Sequence, residues 1–208
     1  NLMGKFTTAF SGSVGNLSVL ENPDRLYQVY KEMDLLFFVL SAYLTGGLMM
    51  LLNPFVELLF GREYCFSMFT VAIIVTEFYI SRMRQVNMVF REAMGLFWND
   101  RYKAVAEAVI NLVVSLLLVK PYGVNGIVGG TIISSLTTCV WAEPYVVMKY
   151  GVRDGWRTKL KDYFVEYGKR VCIVAVLSAL AARWVQRFPV HNFGGFILDG
   201  VLYTAVFA

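Results

Sequence analysis

Long apolar runs that hold no charged residue, or only one, recur along this chain and restrict its fold more than any other feature. The run 35–52, LLFFVLSAYLTGGLMMLL, contains no charge at all. Similar runs occupy 66–81, 104–119, 124–148 and 171–185, and another begins at 196. A membrane-spanning helix needs about 20 mostly apolar residues, which several runs reach with their flanks. The pattern predicts an all-α, polytopic transmembrane helix bundle; a large soluble helical core is the alternative.

The composition favours the membrane over the soluble core. Apolar residues make up 57% of the chain, charged residues only 16%, and the mean hydropathy is +0.56. Soluble domains carry about 25% charged residues. The net charge of +4 is spread over several connections instead of one face, so we expect membrane lipids as partners and no nucleic acid.

The basic residues alternate between connections in the way that a serpentine membrane protein requires. The connections 20–34, 82–103 and 148–170 together hold 14 Lys and Arg residues, against three in the intervening connections. Cytoplasmic loops are enriched in Lys and Arg. The basic connections are therefore expected on the cytoplasmic side, including the turn FREAMGLFWNDRY at 90–102.

We expect four segments in the chain. Residues 1–19 read as the tail of a preceding transmembrane helix, and 20–148 as four transmembrane helices with short loops. Residues 149–170 read as a basic cytoplasmic or interfacial helix, and 171–208 as further transmembrane helices, the last truncated. Because the chain starts with Asn1 and ends inside an apolar run, we expect a fragment of a longer protein.

Two basic connections have the pattern of helices lying in the membrane interface, with ordinary solvated loops as the alternative. Asn22 and Pro23 suit the start of a helix. One apolar face in each segment would meet lipid headgroups. These faces comprise Leu26, Val29, Tyr30 and Met33 in the first segment, and Leu160, Tyr163, Phe164 and Tyr167 in the second.

Familiar catalytic and metal-binding motifs are missing from the sequence. It contains no G-x-x-x-x-G-K-[ST] loop, no G-x-S-x-G elbow and no H-E-x-x-H pair. The three cysteines have no metal-ligand spacing. We expect no enzyme activity, no cofactor and no metal site. Gly126, Gly130 and Ser134 recur at four-residue steps, which predicts close packing between membrane helices.

Charged and polar residues within or beside the apolar runs are the candidate functional residues, because charge inside a bilayer is costly. Glu77, Glu107 and Glu143 are candidates for ion coupling or for lining a cavity; Glu107 and Glu143 suit the interface equally well. Arg82 and Arg84 either reach headgroups or face a cavity. Asn111 and Ser115 add a polar strip to their helix.

Residues 83–151 carry a family resemblance. The run MRQVNMVFREAMGLFWNDRYKAVAEAVINLVVSLLLVKPYGVNGIVGGTIISSLTTCVWAEPYVVMKYG resembles the bacterial Wzx-type polysaccharide flippases of the multidrug/oligosaccharidyl-lipid/polysaccharide exporter superfamily. The upstream segments SGSVGNL and LLNPFVELLFGREY are similar to the same family. The resemblance runs from about Thr7 to Gly151.

The resemblance implies a two-lobe exporter in the bacterial inner membrane, of which this chain is the C-terminal lobe with part of two extra helices. The missing N-terminal lobe would be its partner. Such proteins flip undecaprenyl-diphosphate-linked oligosaccharides for O-antigen, capsule or exopolysaccharide export, and H+ or Na+ would be the coupling ion. Alternatives are a drug or peptidoglycan-precursor exporter of this superfamily, a membrane polysaccharide polymerase or ligase, and a structural subunit.

The resemblance also suggests roles for polar residues near the cytoplasmic side. Arginine binds phosphate oxygens through a planar set of donors. We expect a substrate site at Arg82, Arg84, Arg91 and Asn111. We expect a cytoplasmic gate at Asp100, Arg101 and Lys103. The nearby rings of Phe97, Trp98 and Tyr102 suit interfacial anchoring better than sugar stacking.

Overall fold

The structure is a computed structural model that describes residues 14–15, 23–187 and 193–207. Most of the predicted tail at 1–19 lies outside these ranges, as does Asn22. Within them the chain is helical and contains no strand, so the all-α prediction is confirmed. The α-helices are α1 Pro23–Phe60, α2 Met68–Met83, α3 Gln85–Ala93, α4 Arg101–Tyr122, α5 Val124–Ser134, α6 Val140–Val146, α7 Trp156–Arg187 and α8 Phe193–Phe207.

Three continuous helical segments of the described chain are long and apolar enough to cross a membrane. They are Pro23–Phe60, Leu96–Tyr122 and Val124–Val152. In the last segment a π-helical turn at Ser135–Cys139 joins α5 to α6, and a second π-helical turn at Val147–Val152 follows α6. The other predicted runs are helical too, but α2 has only 16 residues and α8 only 15.

Helix α1 continues from the basic connection into the apolar run without a break, where two separate helices were expected. Pro23 starts the helix, as predicted, and no glycine or proline follows before Gly46. Leu26, Tyr30 and Met33 are buried in protein, so this face packs inside the fold instead of against headgroups. The segment is therefore a helix and not a loop.

Helix α7 shows the same continuity. It runs from Trp156 to Arg187, across the predicted boundary between a basic helix and a span at 170/171. Tyr163 on its predicted apolar face is buried, whereas the neighbouring Phe164 stays exposed. The N-terminal parts of α1 and α7 thus form a protein core beyond the apolar runs.

The helices pack as a series of neighbours. Helices α4 and α5 form a hairpin, α5 packs on α2, α2 on α1, and α1 on both α7 and α8. The hairpin turns at Gly123, whose φ of 57° and ψ of −132° suit glycine far better than a residue with a side chain. Gly126, Gly130 and Ser134 are buried, consistent with the predicted close packing.

A hydrogen-bonded bridge crosses the core between α1, α3 and α7. The Tyr30 hydroxyl donates to Asn87 Oδ1 at 2.7 Å, and Asn87 Nδ2 donates to the Tyr163 hydroxyl at 3.2 Å. The ring of Phe90 meets Tyr30 edge-on, with 5.1 Å between centroids. All four side chains are buried, so the bridge fixes the register of three helices.

Replacing Tyr30 by phenylalanine is expected to destabilise the fold by about 1–3 kcal/mol, because Asn87 Oδ1 would stay buried without its donor. Thermal unfolding of the purified full-length protein in detergent measures the effect. The control is Tyr102→Phe, which removes an exposed hydroxyl on α4. Equal melting temperatures for the two variants would contradict a structural role for the bridge.

Candidate functional site

Six charged side chains from separate parts of the sequence form one network near the start of α4. All six are candidates that the sequence predicted. They come from the α2–α3 junction, α3, the Leu96–Asp100 turn, α4 and α6. They are Arg84, Arg91, Asp100, Lys103, Glu107 and Glu143.

Glu143 on α6 is the centre of the network. Its side chain is fully buried. Its Oε2 accepts from Arg84 Nε at 3.1 Å, and its Oε1 accepts from Arg84 Nη2 at 2.8 Å. The same Oε1 accepts from Lys103 Nζ at 2.5 Å. One carboxylate therefore pairs with two cations, the first in the bidentate geometry that gives strong charge-assisted hydrogen bonds.

Arg84 lies in the junction between α2 and α3 and joins α6 to α4. Its Nη1 donates to Glu107 Oε1 at 3.1 Å and to Ser135 Oγ at 3.3 Å. Burial alone would lower the pKa of Arg84, but its hydrogen bonds and charge attraction to Glu143 and Glu107 more than offset this and raise it. The guanidinium is therefore a permanent positive charge within the fold.

Asp100 extends the network to α3. Its Oδ2 lies 2.7 Å from Arg91 Nη1 and 3.6 Å from Lys103 Nζ. The chain reverses between α3 and the Leu96–Asp100 turn at Gly95, whose φ of 65° is readily adopted by glycine. This reversal is what brings Arg91 and Asp100 together.

The network is electrically balanced, with three cations and three carboxylates. The side chains of Asp100, Lys103 and Glu143 are each less than a tenth exposed. A buried charge that loses its partner is strongly destabilising. Arg84 and Arg91 are thus held by carboxylates, and a phosphate group would have to exchange with these carboxylates to reach them.

The other predicted site residues lie apart from the network. Arg101 is exposed, with its guanidinium 4.1 Å from the Trp98 ring centroid and 4.7 Å from that of Tyr102. Arg82 lies over the Phe78 ring at 5.5 Å. Glu77 on α2 is half-buried and belongs to no ion pair among the described residues.

Asn111 and Ser115 hold the α4–α5 hairpin together. Asn111 Nδ2 donates to Thr131 Oγ1 at 3.5 Å, and Asn111 Oδ1 accepts from the Ser115 hydroxyl at 2.9 Å. The predicted polar strip on α4 therefore meets α5. Its hydrogen bonds serve helix packing in this structure.

An open groove of about 340 Å³ borders the network between α4 and α6. Its lining combines one charged pair, Asp100 and Lys103, with the rings of Tyr102, Trp141 and Tyr145. Aromatic faces beside a cation can accommodate a ligand that has both apolar sugar faces and negative charge.

A second buried ion pair, Asp34 on α1 with Arg170 on α7, was not among the predicted sites. The available signal was an acid directly before the uncharged run 35–52, in a position that also suits an ordinary interfacial residue. In the described part of the chain, no group of three or more His, Cys, Asp or Glu residues is arranged to hold a metal ion.

Comparison with family models, with curated proteins and with solved structures gave no match. The family resemblance of residues 83–151 therefore stays a prediction. The charged network and the groove beside it are the features on which a function is best argued.

Proposed function

We propose that this chain is the C-terminal lobe of an exporter that flips undecaprenyl-diphosphate-linked oligosaccharides across the bacterial inner membrane for surface polysaccharide export. The observation that carries the proposal is the balanced network of buried charges beside an aromatic groove, at the predicted cytoplasmic ends of membrane-compatible helices. An N-terminal lobe would complete the cavity, and H+ or Na+ would drive transport.

The cost of the network favours transport over a purely structural role. Buried ion pairs contribute little net stability compared with apolar packing, and ionisable residues at membrane depth usually mark substrate or ion paths. A polymerase or ligase would need catalytic groups on a larger outer loop. The described connections that are predicted to lie on the outer side are short, comprising Gly61–Ser67 and the single residue Gly123.

In the proposed mechanism, the diphosphate headgroup enters from the cytoplasm and competes with Asp100 for Lys103 and Arg91. Lys103 is the natural first contact because it lines the groove and also pairs with Glu143. The sugars would lie against Trp141 and Tyr145, which line the same groove, while the lipid tail stays in the bilayer. Exchange of carboxylate for phosphate keeps every cation paired, and the displaced Asp100 carboxylate, which lines the same open groove, would turn to water there.

Replacing Lys103 by methionine in the full-length protein is expected to reduce export about tenfold or more, because one charge-assisted hydrogen bond to phosphate is lost. Surface polysaccharide is measured in cells that lack the gene and carry the variant, with membrane abundance measured in parallel. The matched control is Lys161→Met, which removes an exposed charge on α7. Normal export by Lys103→Met would contradict the proposed role of this lysine.

The substrate class is tested with the full-length protein in proteoliposomes. Lipid-linked oligosaccharide, a peptidoglycan precursor and a cationic drug are supplied separately. We expect flipping of the first alone. Transport of either other compound, with no flipping of the oligosaccharide lipid, would favour the corresponding sister exporter.

A further inference from the structure

The buried pair of Asp34 and Arg170 lies where the cytoplasmic part of α1 meets its apolar run. The side chains are only 6% and 12% exposed, and Asp34 Oδ2 accepts from Arg170 Nη1. Arg170 also donates to the Asp34 backbone carbonyl at 3.4 Å. The pair is separate from the Glu143 network, and the proposed flipping mechanism makes no use of it.

The other oxygen of this carboxylate, Asp34 Oδ1, is buried and has no hydrogen-bond partner among the described residues. The same is true of the hydroxyls of Ser41, Thr45 and Tyr79. All four residues are at most 5% exposed. Leaving such a group unpaired costs about 1–3 kcal/mol, so four of them in one region call for an explanation beyond stability.

The four unpaired polar groups lie along one side of α1 and on the neighbouring α2. Ser41 and Thr45 come seven and eleven residues after Asp34 on α1, spacings that place all three on one side of the helix. Tyr79 on α2 packs in the same cluster as Ala42 of α1. The polar groups therefore extend from the ion pair into the part of the bundle formed by the apolar runs.

The ion pair is accessible from one side. A groove of about 680 Å³ lies between α1 and α7, and both Asp34 and Arg170 line it. Its polar lining also includes Lys31, Glu32, Asp162, Glu166 and Lys169. The groove lies at the predicted cytoplasmic end of the helices, so water and protons from that side can reach the pair.

The ionisable groups around Asp34 come from all three helices packed there. Arg170 is the cation in contact with it, and Glu166, one turn earlier on α7, is the nearby acid. Five phenols also interact electrostatically with Asp34: Tyr27 and Tyr30 on α1, Tyr79 on α2, and Tyr163 and Tyr167 on α7. The charged side chains of Lys31, Glu32, Asp162 and Lys169 line the groove around the pair. Arg170 is thus the main group that stabilises the negative charge of Asp34.

We propose that Asp34 is a proton-binding site that exchanges its ion pair with Arg170 for a proton taken from the groove. The proton bonds to the carboxylate and yields a neutral acid, while the guanidinium keeps its charge and turns toward Glu166 and the water of the groove. The hydroxyls of Tyr79, Ser41 and Thr45 continue the polar path beyond the acid. Loss of the pair releases α7 from α1 at this level.

Infrared titration of the purified full-length protein tests the proposal. We expect a protonated carboxylic-acid carbonyl band that changes with pH and disappears in Asp34→Asn. The matched control, Asp162→Asn on the exposed rim of the groove, keeps the band. A band unaffected by Asp34→Asn, or no titrating band, overturns the proposal.

Two further variants keep the test decisive if Asp34→Asn does not fold. Asp34→Glu retains the acid and is expected to move the band. Arg170→Gln removes the nearby cation and is expected to shift the titration upward by about one pH unit or more; an unchanged titration in both variants overturns the proposal. Because the readout is independent of transport, normal flipping without this titration would reject the proton site alone.

Discussion

Replacing Glu143 by alanine is expected to destabilise the full-length protein by about 3–5 kcal/mol, because two cations would stay buried without their carboxylate. The side chain of Glu143 is fully buried, and Arg84 and Lys103 are 16% and 9% exposed. Each cation would lose its shortest ion pair, since Arg84 lies 2.8 Å from Glu143 and 3.1 Å from Glu107, and Lys103 lies 2.5 Å from Glu143 and 3.6 Å from Asp100. Chemical or thermal unfolding in detergent measures the change.

The control for this prediction is Glu92→Ala, which removes an exposed acid on α3. Surface substitutions of this kind usually change stability by less than about 0.5 kcal/mol. A second comparison combines Glu143→Met with Arg84→Met. This double variant is expected to lose less unfolding free energy than the two single variants lose together. Similar unfolding of Glu143→Ala and Glu92→Ala would show that the network is not coupled to folding.

The members of the network were predictable from the sequence, but their pairing was not. Charge within or beside an apolar run is rare, and this alone singled out Arg84, Glu107 and Glu143. Arg84 and Glu143 are 59 positions apart, and only the packing of α2 against α5 and of α3 against α6 brings them together. Asp34 escaped notice because its sequence position does not distinguish a headgroup contact from a buried ion pair.

The residues at which the helices begin and end differ, for a physical reason, from the residues at which the sequence changes from polar to apolar. A change from polar to apolar side chains alters the surroundings of a helix but leaves its backbone hydrogen bonds intact. Helix α1 therefore continues through Asp34 and past Pro54, which removes one backbone donor without ending the helix. Helix α7 likewise passes from Arg170 into its apolar half. The polarity of a segment predicts whether lipid, water or protein surrounds it. Where a helix ends depends instead on local residues that interrupt the backbone hydrogen bonds.

A side chain at Gly126 is expected to force α5 away from α4 and to destabilise the fold by about 3 kcal/mol or more in Gly126→Val. A Cβ atom at this position would overlap the carbonyl oxygen of Leu118 and lie 2.9 Å from the backbone nitrogen of Val119. Backbone atoms cannot rotate out of the way as a side chain can. Unfolding of the full-length protein in detergent measures the loss.

Gly129, three residues further along the same helix, provides a control. A Cβ atom at Gly129 would have Leu118 Cδ1 at 3.8 Å as its nearest neighbour, which is ordinary van der Waals contact. Gly129→Ala is expected to be neutral or slightly stabilising, because alanine favours a helix over glycine by about 1 kcal/mol. A protein that tolerates Gly126→Val as well as Gly129→Ala would not contain the close α4–α5 contact, and the positions of Glu107 on α4 and Ser135 after α5 around Arg84 would have to be revised with it.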